Sequence, residues 1–271
     1  MYENNKQTSD VYLIDEALTS EPIRNSFRLG WEFITLNRKF TLTALVIFIL
    51  LNILGMIPAI ALIFMVLSAI FGMAIQIHVG RTFYLADGIK SYIHQIKESS
   101  LETILNRHTA TASGAYMGWV VLFFILLFFL SIIAGSMGLI SENMNESDLI
   151  NLMLTLGFPL LLVALFISYV QPLVQANIVM SDGFGAGFKA VFTLFSMNLW
   201  RSALQKSYFK YVAIFGTVIM LALFLFISVI SILITFSGIP LLGNILFMVG
   251  IYIFMVMMVI GSMMAKRVCS A

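Results

Sequence analysis

Residues 211–265 read YVAIFGTVIMLALFLFISVISILITFSGIPLLGNILFMVGIYIFMVMMVIGSMMA, fifty-five positions without an Asp, Glu, Lys or Arg. A helix needs about 20 apolar residues to cross a ~30 Å hydrocarbon core, so the run suffices for two crossings and a turn. The turn is written at Ser237-Gly238-Ile239-Pro240, where Gly relaxes the backbone and Pro suits the first position of the next helix. Lys206 and Lys210 precede the run, and Lys266 and Arg267 follow it. The stretch is a helical hairpin with both ends on the basic side of a membrane.

The remaining chain repeats this plan. It is 61% hydrophobic and 10% charged, against roughly 25% charged in an average soluble domain. A mean hydropathy of +1.01 excludes an ordinary water-soluble globule. Residues 41–80 form a second charge-free run, broken at Gly55-Met56-Ile57-Pro58. Beyond each Pro, Ile63-Phe64-Met65-Val66 matches Leu246-Phe247-Met248-Val249. The expected fold is all-α and polytopic, with six spans at about residues 40–55, 58–80, 116–139, 155–181, 211–235 and 241–265. Gly157 and Pro159 stand at the start of the fourth span and Pro172 is its kink.

An amphipathic surface helix precedes each of the three hairpins. In the first, Ile23, Phe27, Trp31 and Ile34 recur at helical spacing, opposite Arg24, Arg28 and Glu32. The second follows Asp87-Gly88 and carries Ile89, Tyr92, Ile93 and Ile96. The third follows Asp182-Gly183, ninety-five residues on, with Phe184, Phe188, Phe192 and Phe195 on one face. Trp31 and Trp200 are expected as anchors at headgroup depth. Residues 1–20 read as a mobile polar tail with a short helix near Tyr12–Leu18, and residues 21–271 as one membrane domain. Eleven charges among the first forty residues argue against a cleavable signal peptide there.

All fifteen Lys and Arg fall in the amino tail, the 81–107 and 182–210 segments, or the carboxyl tail. Cytoplasmic loops carry the basic excess, so both termini are expected in the cytoplasm of a bacterial inner membrane. Anionic lipids, a membrane-protein partner or a second copy of the chain are the expected partners, and nucleic acid is not.

No span contains Asp, Glu, Lys or Arg, which argues against an ion-coupled pump built on a buried charge. The polar residues that remain are Gln76 and His78 near the basic end of the second span, with Gln171, Gln175 and Asn177 near that of the fourth. Gln76 and Gln171 each stand eleven residues before an Asp-Gly. This cluster is either a polar vestibule for a solute or headgroup, or interhelical hydrogen bonding worth roughly 0.6–2 kcal/mol per contact. His78 has no second His, Cys or carboxylate close in sequence, which makes it a poor metal ligand. The Met-rich last span invites Cu(I), but its Met positions repeat no ligand spacing and read as apolar filler. The single Cys269 excludes an intramolecular disulfide and a cysteine-based metal site. Gly183-Phe184-Gly185-Ala186-Gly187 lacks the strand and Lys-Ser/Thr of a phosphate loop and reads as a flexible hinge. No cofactor, metal or catalytic set is expected.

The segments Ile23-Arg24-Asn25-Ser26-Phe27-Arg28-Leu29 and Phe188-Lys189-Ala190-Val191-Phe192-Thr193-Leu194 each lead through an aromatic-rich helix towards a span. In this pattern the chain resembles bacterial six-helix inner-membrane proteins of unknown function, related to the membrane domain of some glycerophosphodiester phosphodiesterases. The resemblance implies an inner-membrane protein tied to lipid or envelope physiology, and carries over no catalytic residue. Two function classes follow: a non-enzymatic scaffold, lipid-interacting or envelope-assembly factor, and a transporter or channel for an uncharged or amphiphilic solute. A cavity joining Gln76 to Gln171 and reaching the far side favours the second; a dry apolar centre favours the first.

Overall fold

The computed structural model describes residues 13–19, 21–136 and 146–269, without the side chains at 146–154, 156, 237 and 240. The described chain is helical throughout, with no strand. In order it forms α1 (Leu13–Thr19), α2 (Pro22–Leu36), α3 (Arg38–Leu54), α4 (Ala61–Tyr84), α5 (Ile89–Glu98) and α6 (Leu101–Thr103). A π-helical turn, Ile104–His108, runs from α6 into α7 (Thr109–Ser136). Then come α8 (Glu146–Met180), α9 (Phe184–Val191), a 3₁₀ turn (Phe192–Phe195), α10 (Met197–Ala203), α11 (Lys206–Ser237) and α12 (Pro240–Val268).

Five helical stretches are long and apolar enough to cross a membrane: Ala61–Tyr84, Leu101–Ser136, Gly157–Met180, Lys206–Phe236 and Leu241–Val268. A sixth arises only if α2 and α3 are taken together, and these two meet at 91°. With 17 residues, α3 rises about 26 Å, just short of a ~30 Å hydrocarbon core.

The turn expected at Gly238 is present. Gly238 takes a left-handed φ of 64° and returns its N–H to Ile234 O, and Pro240 opens α12. The earlier Gly-Met-Ile-Pro break differs from it, because Gly55 is right-handed and α4 begins only at Ala61.

Four segments depart from expectation. The tail helix is Leu13–Thr19 and is docked: Leu13, Ile14 and Ala17 are buried, and Asp15 receives Arg267 Nε and Nη2 at 2.6 and 2.8 Å. The third long helix starts well before residue 116, because the small residues Thr111, Gly114 and Gly118 lie inside it and let α9 approach. Pro159, expected at the entry of the fourth span, lies inside α8, which begins at Glu146, as does Pro172. The third surface segment is α9, a 3₁₀ turn and α10 in succession, broken at Ser196, whose backbone is extended.

The glycine-rich stretch is divided: Gly183 makes the turn into α9 with a φ of 79° and Gly185 has open space around it, whereas Gly187 is a packing position. A Cβ on Gly114 would sit 2.0 Å from Phe184 O, and one on Gly187 would sit 2.3 Å from Thr111 O. Small residues at these sites bring α7 and α9 into backbone contact, the usual basis of helix association where apolar burial gives no drive.

The packed core lies at the end of the bundle where every described Lys and Arg is gathered. There Phe33, Phe83, Tyr92, Ile96 and Tyr208 are fully buried. Ser26 and Tyr211 hydroxyls meet at 2.9 Å, and Tyr92 donates to Leu29 O at 2.9 Å, tying α2 to α11 and α5. Burial holds the Tyr92 hydroxyl well above its ordinary pKa, so it stays a donor. At the other end, Phe123, Phe124, Phe128 and Phe129 of α7 are exposed, as are Leu160, Leu161, Leu165 and Phe166 of α8. Consecutive positions point to different sides of a helix, so these halves are bare on most sides, with Leu126 and Ala134 of α7 as exceptions.

Candidate functional site

Charge-free helices bring their few amides together around α4. Gln175 of α8, buried, donates through Nε2 to Gln76 Oε1 at 2.9 Å. Gln171, one turn earlier on α8, does not complete this pair but lines the same cavity as both. The cavity measures about 410 Å³ and is walled by α3, α4, α7, α8 and α12. Its polar side is Asn52, Ser68, Gln76, Gln171 and Gln175; its apolar side includes Phe48, Met65, Met73, Trp119 and Met255. No charged residue lines it among the described residues.

Asn52 and Ser68 extend the polar side away from the basic end. Asn52 Nδ2 donates to Ser68 Oγ and to Phe48 O, both at 2.7 Å. The eight residues from Ser68 to Gln76 rise about 12 Å, so hydrogen-bonding groups recur along α4 at solute-length intervals. A further cavity of about 240 Å³ shares Asn52 and Met65 and continues past Gly55 and Met56 to Asn244. Towards the basic end α4, α8 and α12 close on one another. A Cβ on Gly80 would meet Val179 at 2.8 Å and Val259 at 3.0 Å, so α4, α8 and α12 are in tight contact there. The polar groups therefore stop short of this contact and continue the other way, towards the turn after α3 and the start of α12.

The remaining residues singled out from sequence lie elsewhere. His78 is not alone: its Nδ1 is 3.4 Å from His108 Nε2, and its Nε2 is 2.8 Å from Ser99 Oγ. All three residues are buried, which leaves this Ser–His–His row without an opening for a substrate. His108 is set facing His78 by the π-helical turn, which shifts the register of the helix leading into α7. No group of three or more metal-ligating His, Cys, Asp or Glu occurs among the described residues. Asn177 turns away from the glutamines, donating to Thr193 Oγ1 at 3.1 Å and accepting from Lys266 Nζ at 2.9 Å. Trp31 is 55% exposed on α2. Trp200 is half-buried, with its Nε1 donating to Leu194 O at 2.8 Å.

Sequence reading missed Asn52, Ser68, Trp119 and His108. Asn52 carried a usable signal, an amide in the middle of a charge-free run. His108 did not, since it lies thirty residues from its partner in a segment read as a surface helix and linker.

Arg81 closes the end of α8. Its Nε donates to Val179 O at 2.8 Å, it bonds Ser181 O, and it stands 3.5 Å from Asp182. A cation on the last carbonyls of a helix is where the helix dipole favours it.

Comparison with family models, curated proteins and solved structures finds no match to this chain.

Proposed function

We propose that this chain is an integral protein of the bacterial inner membrane that carries an uncharged amphiphile in its amide-walled crevice. In this reading α3, α4, α7, α8, α11 and α12 are six spans in three hairpins. Segments α2, α5 and α9 with α10 lie at the basic, cytoplasmic face, where both termini sit. The exposed apolar side chains of α7, α8 and the outer face of α11 support the membrane placement, since lipid is the solvent in which they cost nothing.

One observation carries the carrier reading: a single cavity joins Gln76, Gln175 and Gln171, and an adjoining one continues its polar side to Asn244. Buried amides must be satisfied. The bond from Gln175 to Gln76 uses one donor and one acceptor, so Gln76 Nε2, Gln175 Oε1 and the Gln171 amide all face the cavity for an occupant. An occupant without charge fits a wall without charge. Apolar Phe48, Met65 and Trp119 suit its hydrocarbon part. The tight contact of α4, α8 and α12 at Gly80 supports a carrier rather than a pore.

The test uses Trp119 as reporter, with Trp31→Phe and Trp200→Phe removing the other two tryptophans. In nanodiscs, a brominated diacylglycerol should quench Trp119 saturably, and brominated phosphatidylcholine should quench it only in proportion to its bulk content. Gln171→Leu should abolish the saturable part without lowering the melting temperature. Non-saturable quenching by both lipids would sink the carrier reading and leave the scaffold.

A further inference from the structure

The hydrogen bonds of the amide crevice leave a patterned remainder. Gln175 Nε2 gives a proton to Gln76 Oε1 at 2.9 Å, which leaves Gln76 Nε2 to donate and Gln175 Oε1 to accept. Gln171, one turn away on the same wall, has no side-chain hydrogen bond among the described residues and adds a donor and an acceptor. Two turns along α4, about 12 Å off, Asn52 Nδ2 commits both protons, to Phe48 O and to Ser68 Oγ, each at 2.7 Å. Its Oδ1 is left to accept. The hydroxyl proton of Ser68, a residue only 5% exposed, meets no acceptor among the described residues. Each end of the crevice therefore presents both a donor and an acceptor.

That pattern selects the chemistry of an occupant. A carboxylate or phosphate only accepts and an ammonium only donates, so either would leave half of each end unmet. Buried groups left unmet carry their full desolvation penalty, and no charged residue lines the wall among the described residues to offset it. A hydroxyl both donates and accepts. The one hydroxyl of a diacylglycerol can serve only one end, whereas a sugar carries several and can serve both. The apolar side fits the same group. Trp119 supplies a flat apolar ring for the C–H face of a sugar, and its indole N–H has no protein partner among the described residues. Met56, Met65 and Met248 line the adjoining cavity and offer adaptable thioether surface to acyl chains.

Given the carrier reading of the crevice, on which this rests, we propose that its occupant is a neutral glycolipid. The sugar hydroxyls meet Gln76, Gln171 and Gln175 at one end and Asn52 and Ser68 at the other, with the acyl chains in the Met-lined adjoining cavity. A site built to pair hydroxyls discriminates against an analogue that lacks them, because its buried polar groups are then left unpaired.

The experiment uses the full chain in nanodiscs, with Trp31→Phe and Trp200→Phe leaving Trp119 as reporter. Three lipids carry the same brominated acyl chains: monogalactosyl diacylglycerol, diacylglycerol and phosphatidylglycerol. The galactolipid should quench Trp119 saturably, with half-saturation at a roughly tenfold lower mole fraction than diacylglycerol, the scale of one or two net hydrogen bonds. Phosphatidylglycerol should quench only in proportion to its bulk content. Ser68→Ala removes the donor at the far end and should bring the galactolipid's half-saturation towards that of diacylglycerol. Equal half-saturation for galactolipid and diacylglycerol, or tighter binding of phosphatidylglycerol, would overturn the glycolipid assignment and leave the carrier reading standing. Non-saturable quenching by all three lipids would remove both together. A galactolipid preference unchanged in Ser68→Ala would refute the two-ended fit. Should Ser68→Ala not fold, the lipid comparison on the chain with Ser68 intact decides the matter.

Discussion

The two halves of α7 follow opposite rules. Its first turns, at Thr111, Gly114 and Gly118, touch the backbone of α9 so closely that a single methyl group would clash. Its second half, from Phe123 to Ile133, carries large side chains that touch little else. In water the second half would be the cohesive one, because burying each large apolar side chain is worth about 1.5–3 kcal/mol. In hydrocarbon that drive vanishes, and cohesion passes to close backbone approach and to hydrogen bonds. The contrast shows where this fold is held: the buried core, the close-approaching glycines and the amides lie towards the basic end, and most of the Phe-rich half is exposed.

The largest effect should come from breaking the tight half. Gly114→Leu places a side chain where Phe184 O already sits, and should cost 3 kcal/mol or more, roughly the upper range for overpacking. A melt in detergent micelles would show this as a large drop or as failure to fold. Gly114→Leu melting like wild type would mean that α7 and α9 are not in backbone contact.

Next come the amides. Gln76→Leu leaves buried Gln175 without its partner and should cost about 1–3 kcal/mol, whereas replacing both by Leu should be nearly neutral. Gln171→Leu should barely change stability. Equal losses in all three single variants would show that Gln171 shares the pair. Among charges, Asp15→Asn removes a bidentate but one-third-exposed contact to Arg267, and should cost at most about 1 kcal/mol. High salt should narrow the difference between this variant and wild type.

Smallest of all should be changes in the bare half. Gly135 and Gly157 have nothing within 4 Å of an added Cβ, so Gly→Ala there should be neutral or stabilise by up to about 1 kcal/mol through helix propensity. A clear loss at either site would reveal a partner on that face.

Topology can be read at Cys269, with one chemical condition. The thiolate is the reactive form, and burial raises this thiol's pKa from 9.0 to about 11. At pH 8 it should label on the order of 100-fold more slowly than a free thiol, and the rate should rise with pH up to about 11. If the carboxyl terminus is cytoplasmic, a permeant maleimide should label Cys269 in intact cells and an impermeant one should not. Fast labelling by the impermeant reagent would reverse the orientation.

The charge-free runs made the long apolar helices legible, because length and hydropathy alone decide whether a helix can span hydrocarbon. The Gly238-Ile239-Pro240 turn was legible for the same local reason. What could not be read was which faces meet. Gln171 stood at the repeat-matched position, yet Gln175 takes Gln76, since one helical turn and the crossing angle of α4 and α8 decide the pair. Gly187 looked loose because glycine signals both freedom and close approach, and only the neighbouring helix distinguishes them. Leu13, Ile14 and Ala17 gave too short an apolar pattern to reveal a docked helix.

The corner at Asn37 has a consequence for the order in which the protein is made. Its Oδ1 accepts from Phe40 N at 3.0 Å, starting α3, and its Nδ2 donates to Ile96 O, Lys97 O and Ser99 O at 2.9, 3.2 and 3.1 Å. The second set of partners is 59 to 62 residues downstream. At 5–20 residues per second, a ribosome needs about 3–12 seconds to supply them. For that interval the corner between α2 and α3 lacks its outer brace, while α3 and α4 have already left the ribosome. The outer brace of the right angle is thus set late, after α3 and α4 have been made, and the partners of α2 on α11 and α12 come later still.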